Sequence, residues 1–159
     1  MKPFRPLVLV AFLAITFAAA AIGSTATFRN VTTWYPTLQK PSWTPPSALF
    51  GPVWSALYVA MSVAGWRAWR RAATPAATAG VIRLYGAQLI LNALWSVLFF
   101  GMRRPDLALV DIVALWLLLV VGLIRFWRLD RLAGVLWAPY LAWVSFATAL
   151  NAAIWSLNR

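Results

Sequence analysis

A chain of 159 residues that is 63% hydrophobic, with mean hydropathy +0.77, lies well above the roughly 45–50% apolar usage of soluble domains and reads as an integral membrane protein. It has no Cys and no His, which excludes a thiol nucleophile, a disulfide frame, a zinc site and a His-ligated haem. Its acids are Asp106, Asp111 and Asp130 alone, and its formal charge of +11 is scattered between apolar runs, the pattern of membrane flanks and not of a nucleic-acid module.

Lys2 and Arg5 precede an apolar run from Leu7 to Ile22 that ends in Gly23, Ser24, Thr25 and Ala26. The basic start and small-residue end are those of a signal peptide, but the run exceeds the ~7–15 residues of an h-region, so a first span over about 7–27 is predicted. The stretch 28–46 follows as a loop. Its prolines Pro36, Pro41, Pro45 and Pro46 fix φ and lack an amide donor, so Trp34 to Pro46 cannot be a regular helix. A rigid loop carrying Trp34, Tyr35 and Trp43 has the character of a lid, whereas aromatics serving only as interfacial anchors need no stiff backbone. The second span, about 47–69, carries Trp54 and Tyr58 one turn apart on one face. Spans at about 79–102, 106–127 and 132–157 complete an all-α bundle of five transmembrane helices, each near the ~20 residues a bilayer requires, in one domain over residues 1–159.

Polar and aromatic residues within the spans mark faces. Gln88, Asn92, Trp95 and Phe99 form one helical stripe, which must meet protein or a cavity because unbonded amides are costly in lipid. Bonds to neighbouring helices explain it as well as a binding site does. Opposite, Ala79, Gly86 and Ala93 recur every seven residues, suiting a close internal contact or a homodimer seam. Asp106 is placed to cap the fourth helix, and Asp111 to pair with the Arg103–Arg104 turn. In the fifth span Trp143, Ala147 and Asn151 share a face, with Ala147 leaving room beside Trp143 for a flat ligand. Nine of the fourteen cations (Lys2, Arg5, Arg67, Arg70, Arg71, Arg83, Arg125, Arg128, Arg131) fall on the N-terminal side, which predicts a cytoplasmic N-terminus and an external lid loop.

The segments WY-x-x-L-Q-K-P-S-W-x-P-P from Trp34 to Pro46, G-P-V-W-x-x-L-Y from Gly51 to Tyr58, L-Y-x-x-Q-L-x-L-N-x-x-W from Leu84 to Trp95, F-F-G at Phe99–Gly101, A-L-V-D at Ala108–Asp111 and P-Y-L-A-W-x-x-F-A-T-x-L-N from Pro139 to Asn151 resemble, in order and across all five spans, the TspO/MBR family of translocator proteins, peripheral benzodiazepine receptors and tryptophan-rich sensory proteins. The resemblance implies a five-helix bundle, often a homodimer, with a pocket beneath the first long loop that takes protoporphyrin IX or haem as ligand and needs no obligatory cofactor. It further implies a sensor or translocator embedded in membrane lipids, with no nucleic-acid partner. Carried over by motif, the ligand-binding residues are Trp54, Tyr58, Asn92, Trp95, Trp143, Ala147 and Leu150, with Trp34 and Trp43 in the lid. Trp54 and Trp143 match the tryptophans that would act catalytically if porphyrin is degraded in light; lipid or sterol carriage is the other alternative. Two departures stand out. The cholesterol-recognition positions near the end of the fifth helix hold Ala152 and Ser156, and the early tryptophan of the fourth helix in animal members is Leu107. With no His or Cys, iron ligation is left to Tyr or the three Met, so a porphyrin is better held by stacking, its propionates answered by cations on the lid side such as Lys40 and Arg29.

Overall fold

The computed structural model describes residues 2, 3 and 5–159. Five helices, each long and apolar enough to cross a membrane, carry almost all of them: α1 (Pro6–Val31), α2 (Phe50–Arg71), α3 (Pro75–Ser96), α4 (Pro105–Leu129) and α5 (Arg131–Leu157). Packed pairs run α1–α2, α2–α5, α5–α4, α4–α3 and α3–α1, which closes a ring.

Helix ends follow local chemistry. α3 begins four residues before its expected start, because Thr74 accepts a hydrogen bond from the Ala77 amide and Pro75 occupies the first turn, where no donor is needed. α1 runs on to Val31, four residues past the expected Thr27; Asn30 in its last turn donates to the Phe100 carbonyl (2.8 Å) and accepts from Arg103. α3 does not simply stop. It widens into a π turn over Val97–Gly101, closed by Met102 N to Val97 O at 2.7 Å. α5 continues through Pro139 without a break.

Two expected acid roles are corrected. Asp106 does not cap α4, which starts at Pro105; it sits in the first turn and pairs with Arg104 at 2.6 Å. Asp111 makes no ion pair with the Arg103–Arg104 turn. Arg104 is occupied by Asp106, and Arg103, at the left-handed φ of 55°, reaches Asn30 instead. Asp111 is buried, and its Oδ2 has no hydrogen-bond partner among the described residues.

The end of the bundle holding the N-terminus is solid. Trp137 lies flat on Gly122, where a Cβ would come within 2.9 Å of its Nε1, and that nitrogen donates to Leu119 O (3.1 Å). Tyr85 fills the notch at Gly65, while its hydroxyl joins Thr16 at 2.6 Å. Asp130, between α4 and α5, accepts from Arg67, Arg71 and the Ala133 amide and so caps α5. Burial alone would raise its carboxyl, but these bonds hold the pKa below the usual carboxylate range.

Candidate functional site

At the other end the middle of the ring is not filled. α1 and α5 are not among the packed pairs, and a cavity of about 350 Å³, within the roughly 300–1,000 Å³ of small-molecule sites, lies between α1, α2, α3 and α5. Small residues on α1 (Ala19, Ala20, Gly23) keep that wall back, and Ala147 does the same on α5. The remaining walls are aromatic. Trp54 stacks on Tyr58 with centroids 5.4 Å apart, Trp95 stacks on Phe99 at 5.0 Å, and Trp143 stands between Phe50 and Phe146. The π turn has a local purpose here: it brings the successive residues Phe99 and Phe100 both to the cavity, which a regular helix, turning 100° per residue, does poorly. Among the described residues no charged side chain lines the space.

Its polar floor is satisfied from within. Asn92 Nδ2 donates to Tyr140 Oη (3.0 Å), and Tyr140 Oη donates to Gln88 Oε1 (3.0 Å), tying α3 to α5. Trp95 Nε1 donates to Asn151 Oδ1 (2.9 Å), and Asn151 Nδ2 to Pro105 O (2.8 Å), which adds α4. The stripe expected to serve either binding or helix joining does join helices, and its Asn92 and Trp95 also line the cavity.

A mouth opens sideways between α1 and α2. Ala20, Ser24 and Thr27 face Ser47, Gly51 and Ser55, all partly or fully exposed, and Gly51 has open space where a Cβ would be. Ser24 donates to Ala20 O (2.8 Å), Thr27 to Gly23 O (3.0 Å) and Ser55 to Gly51 O (2.9 Å). These three hydroxyls are thus spent on their own helices, which lowers the polarity the mouth presents to hydrocarbon.

The lid is stapled shut. Lys40 Nζ donates to the carbonyls of Tyr35 (2.8 Å), Leu38 (2.8 Å) and Pro36 (3.4 Å), which engages all three of its protons within the loop. Asn158 exchanges two bonds with the Gln39 backbone, fastening the loop to the end of α5. Tyr35 is buried against Phe99 and Phe100, and burial pushes its phenol pKa up.

Of the nine residues expected at the site, seven line the cavity: Trp54, Tyr58, Asn92, Trp95, Trp143, Ala147 and Leu150. The two lid tryptophans stand one ring away, Trp34 on Phe99 at 5.8 Å and Trp43 on Phe146 at 5.8 Å. They brace the lining and do not form it. Lys40, expected to meet propionates, is committed to the loop instead. Tyr35, expected in the lid loop, lines the cavity, and so do Phe50 and Phe146, which were not singled out; their only sequence trace was the aromatic density around them. The stripe of small residues on α3 divides: Ala93 backs onto Gly23 of α1, whereas Gly86 meets nothing within 4 Å.

The profile of the TspO/MBR family matches residues 11–156. The chain is 41% identical to the tryptophan-rich protein TspO of Chlorobaculum tepidum, covering 96% of each chain, and 38% identical to a tryptophan-rich sensory protein of Cereibacter sphaeroides, covering 92% of this chain and 90% of that one. It is 39% identical to the human translocator protein over 79% of this chain and 75% of the relative. A five-helix membrane bundle with an aromatic cavity under a proline-stiffened loop, matched from the second turn of α1 to the last turn of α5, is an integral membrane protein of the TspO/MBR family.

Proposed function

We propose that the cavity binds a tetrapyrrole, protoporphyrin IX or haem, and that the protein serves as a membrane sensor or translocator for it, working as a homodimer. The observation that carries this reading is the wall of Trp54, Tyr58, Trp95 and Trp143 around a space without charge. A flat apolar macrocycle is suited to such walls, each tryptophan contributing on the order of 1.5–3 kcal/mol when covered. In the absence of His and Cys, stacking and not metal ligation holds the ring, so the iron-free ring binds about as well as haem. A titration followed by Trp fluorescence tests this. A preference for haem of roughly a hundredfold, worth about 2.7 kcal/mol, sinks it.

A second reading, light-dependent degradation of porphyrin, draws on a chain of oxidisable rings. Trp54 touches Tyr140 (6.1 Å) and Tyr140 touches Trp137 (5.7 Å), leading from the cavity wall into the core. Incubation with protoporphyrin IX in light and in dark separates the readings, since binding saturates whereas turnover yields a new absorbing species. Trp54→Phe and Trp143→Phe keep most of the stacking area but slow the light reaction; wild-type rates in both end the enzymatic reading. The cytoplasmic placement of the N-terminus is tested by cysteines at Thr37 and Ala73 in a chain with no native Cys, which label from opposite sides of the membrane.

A further inference from the structure

Opposite the cavity, the α4–α5 connection opens a recess of about 420 Å³ lined by Arg67, Arg71, Arg128 and Arg131 around the single acid Asp130, with Trp127 and Leu132 at its edge. Asp130 accepts from Arg67 through both oxygens and from Arg71 through Nε alone, so one carboxylate faces four guanidiniums. Arg128 and Arg131 are exposed and take no part in those bonds. The recess therefore carries a net charge of +3 with its inner pair held in place, the arrangement that suits a phosphodiester.

We propose that this recess binds the phosphodiester headgroup of an anionic phospholipid. A lipid, and not a free phosphate, is indicated by what adjoins the cations. Trp127 and Leu132 are each 47% exposed, an aromatic and an aliphatic side chain at the depth where headgroup meets acyl chain. From Arg128 the exposed residues Ile124, Val121 and Leu117 continue along α4 at helical spacing, forming an apolar track for a chain descending from the headgroup. Arginines that only set topology would be spread around the rim. Here four converge beside a lipid-facing track.

The test uses the full-length protein in detergent, with phosphatidylglycerol, phosphatidylcholine and inorganic phosphate as probes and bound species counted by native mass spectrometry. One phosphatidylglycerol is retained per chain in preference to phosphatidylcholine, and Arg128→Gln/Arg131→Gln weakens it roughly 30-fold. The control Arg83→Gln/Arg125→Gln removes two cations of the same half of the bundle from outside the recess and leaves retention within about twofold. Thermal melting of both double variants near that of the parent shows that the change is not one of folding. Equal losses in the two double variants mean a diffuse field and overturn the proposal. Displacement of the lipid by inorganic phosphate at the same concentration overturns it in favour of a soluble anion.

Discussion

The two halves of the bundle use the same parts to opposite ends. In the N-terminal half the rings of Tyr85 and Trp137 lie on glycines, Gly65 and Gly122, and the space there is filled to the point where a single methyl group would collide. In the lid half small residues, Ala19 and Ala20 on α1 and Ala147 on α5, again share a space with rings, but the rings stand around the gap instead of in it. Close packing is the default for protein interiors, and a half that declines it needs another means of keeping its walls apart. Here the means is hydrogen bonding. Gln88, Asn92, Tyr140 and Asn151 fix the spacing of α3, α4 and α5 below the cavity, and the stapled lid fixes it above.

That contrast predicts how the halves respond to added or lost volume. Gly65→Ala places a methyl against a Tyr85 ring anchored by its hydroxyl bonds, and should cost about 3 kcal/mol in thermal or denaturant unfolding. Full tolerance would mean the filled half is looser than described. Asp130→Ala removes the α5 cap and the partner of Arg67 and Arg71, and should cost about 2 kcal/mol near neutral pH. Because the folded pKa of Asp130 is depressed, its contribution is whole above about pH 4 and lost as pH falls through the lowered value, so variant and parent should converge in acid. Ala147→Phe adds a whole ring to the open half. It should lower porphyrin affinity about tenfold, near 1.4 kcal/mol, while leaving helicity and melting temperature close to the parent's. Unchanged affinity would move the pocket elsewhere. Gly86→Ala, on a face with nothing within 4 Å, should change monomer stability by less than about 0.5 kcal/mol; a shift in oligomeric state there would mark this face as a contact between copies of the chain.

The five helices were legible because a bilayer demands uninterrupted apolar runs, and such runs survive in a single sequence. The seven lining residues were legible from their motifs and helical spacing, which hold within an element. What escaped depends on contacts between elements. Asp111 was close in sequence to two arginines, yet Arg103 takes a left-handed backbone and turns to α1, a choice no spacing records. Trp34 and Trp43 carried the right chemistry for the site, but Phe99 and Phe146 come between them and the cavity. Lys40 looked like an anion receptor until three loop carbonyls, which have no sequence signature, claimed its protons. The Thr74–Pro75 start of α3 is readable from local rules, a capping threonine followed by a first-turn proline.

The sideways mouth between α1 and α2, with the Ser24, Thr27 and Ser55 hydroxyls folded back onto their own helices, makes the bilayer a phase in the binding equilibrium. A ligand that partitions into lipid is diluted by each added vesicle, so an affinity expressed per litre of buffer weakens as the lipid-to-protein ratio rises, while the affinity expressed as mole fraction in the membrane stays constant. Values for this cavity are commensurable only in the second unit.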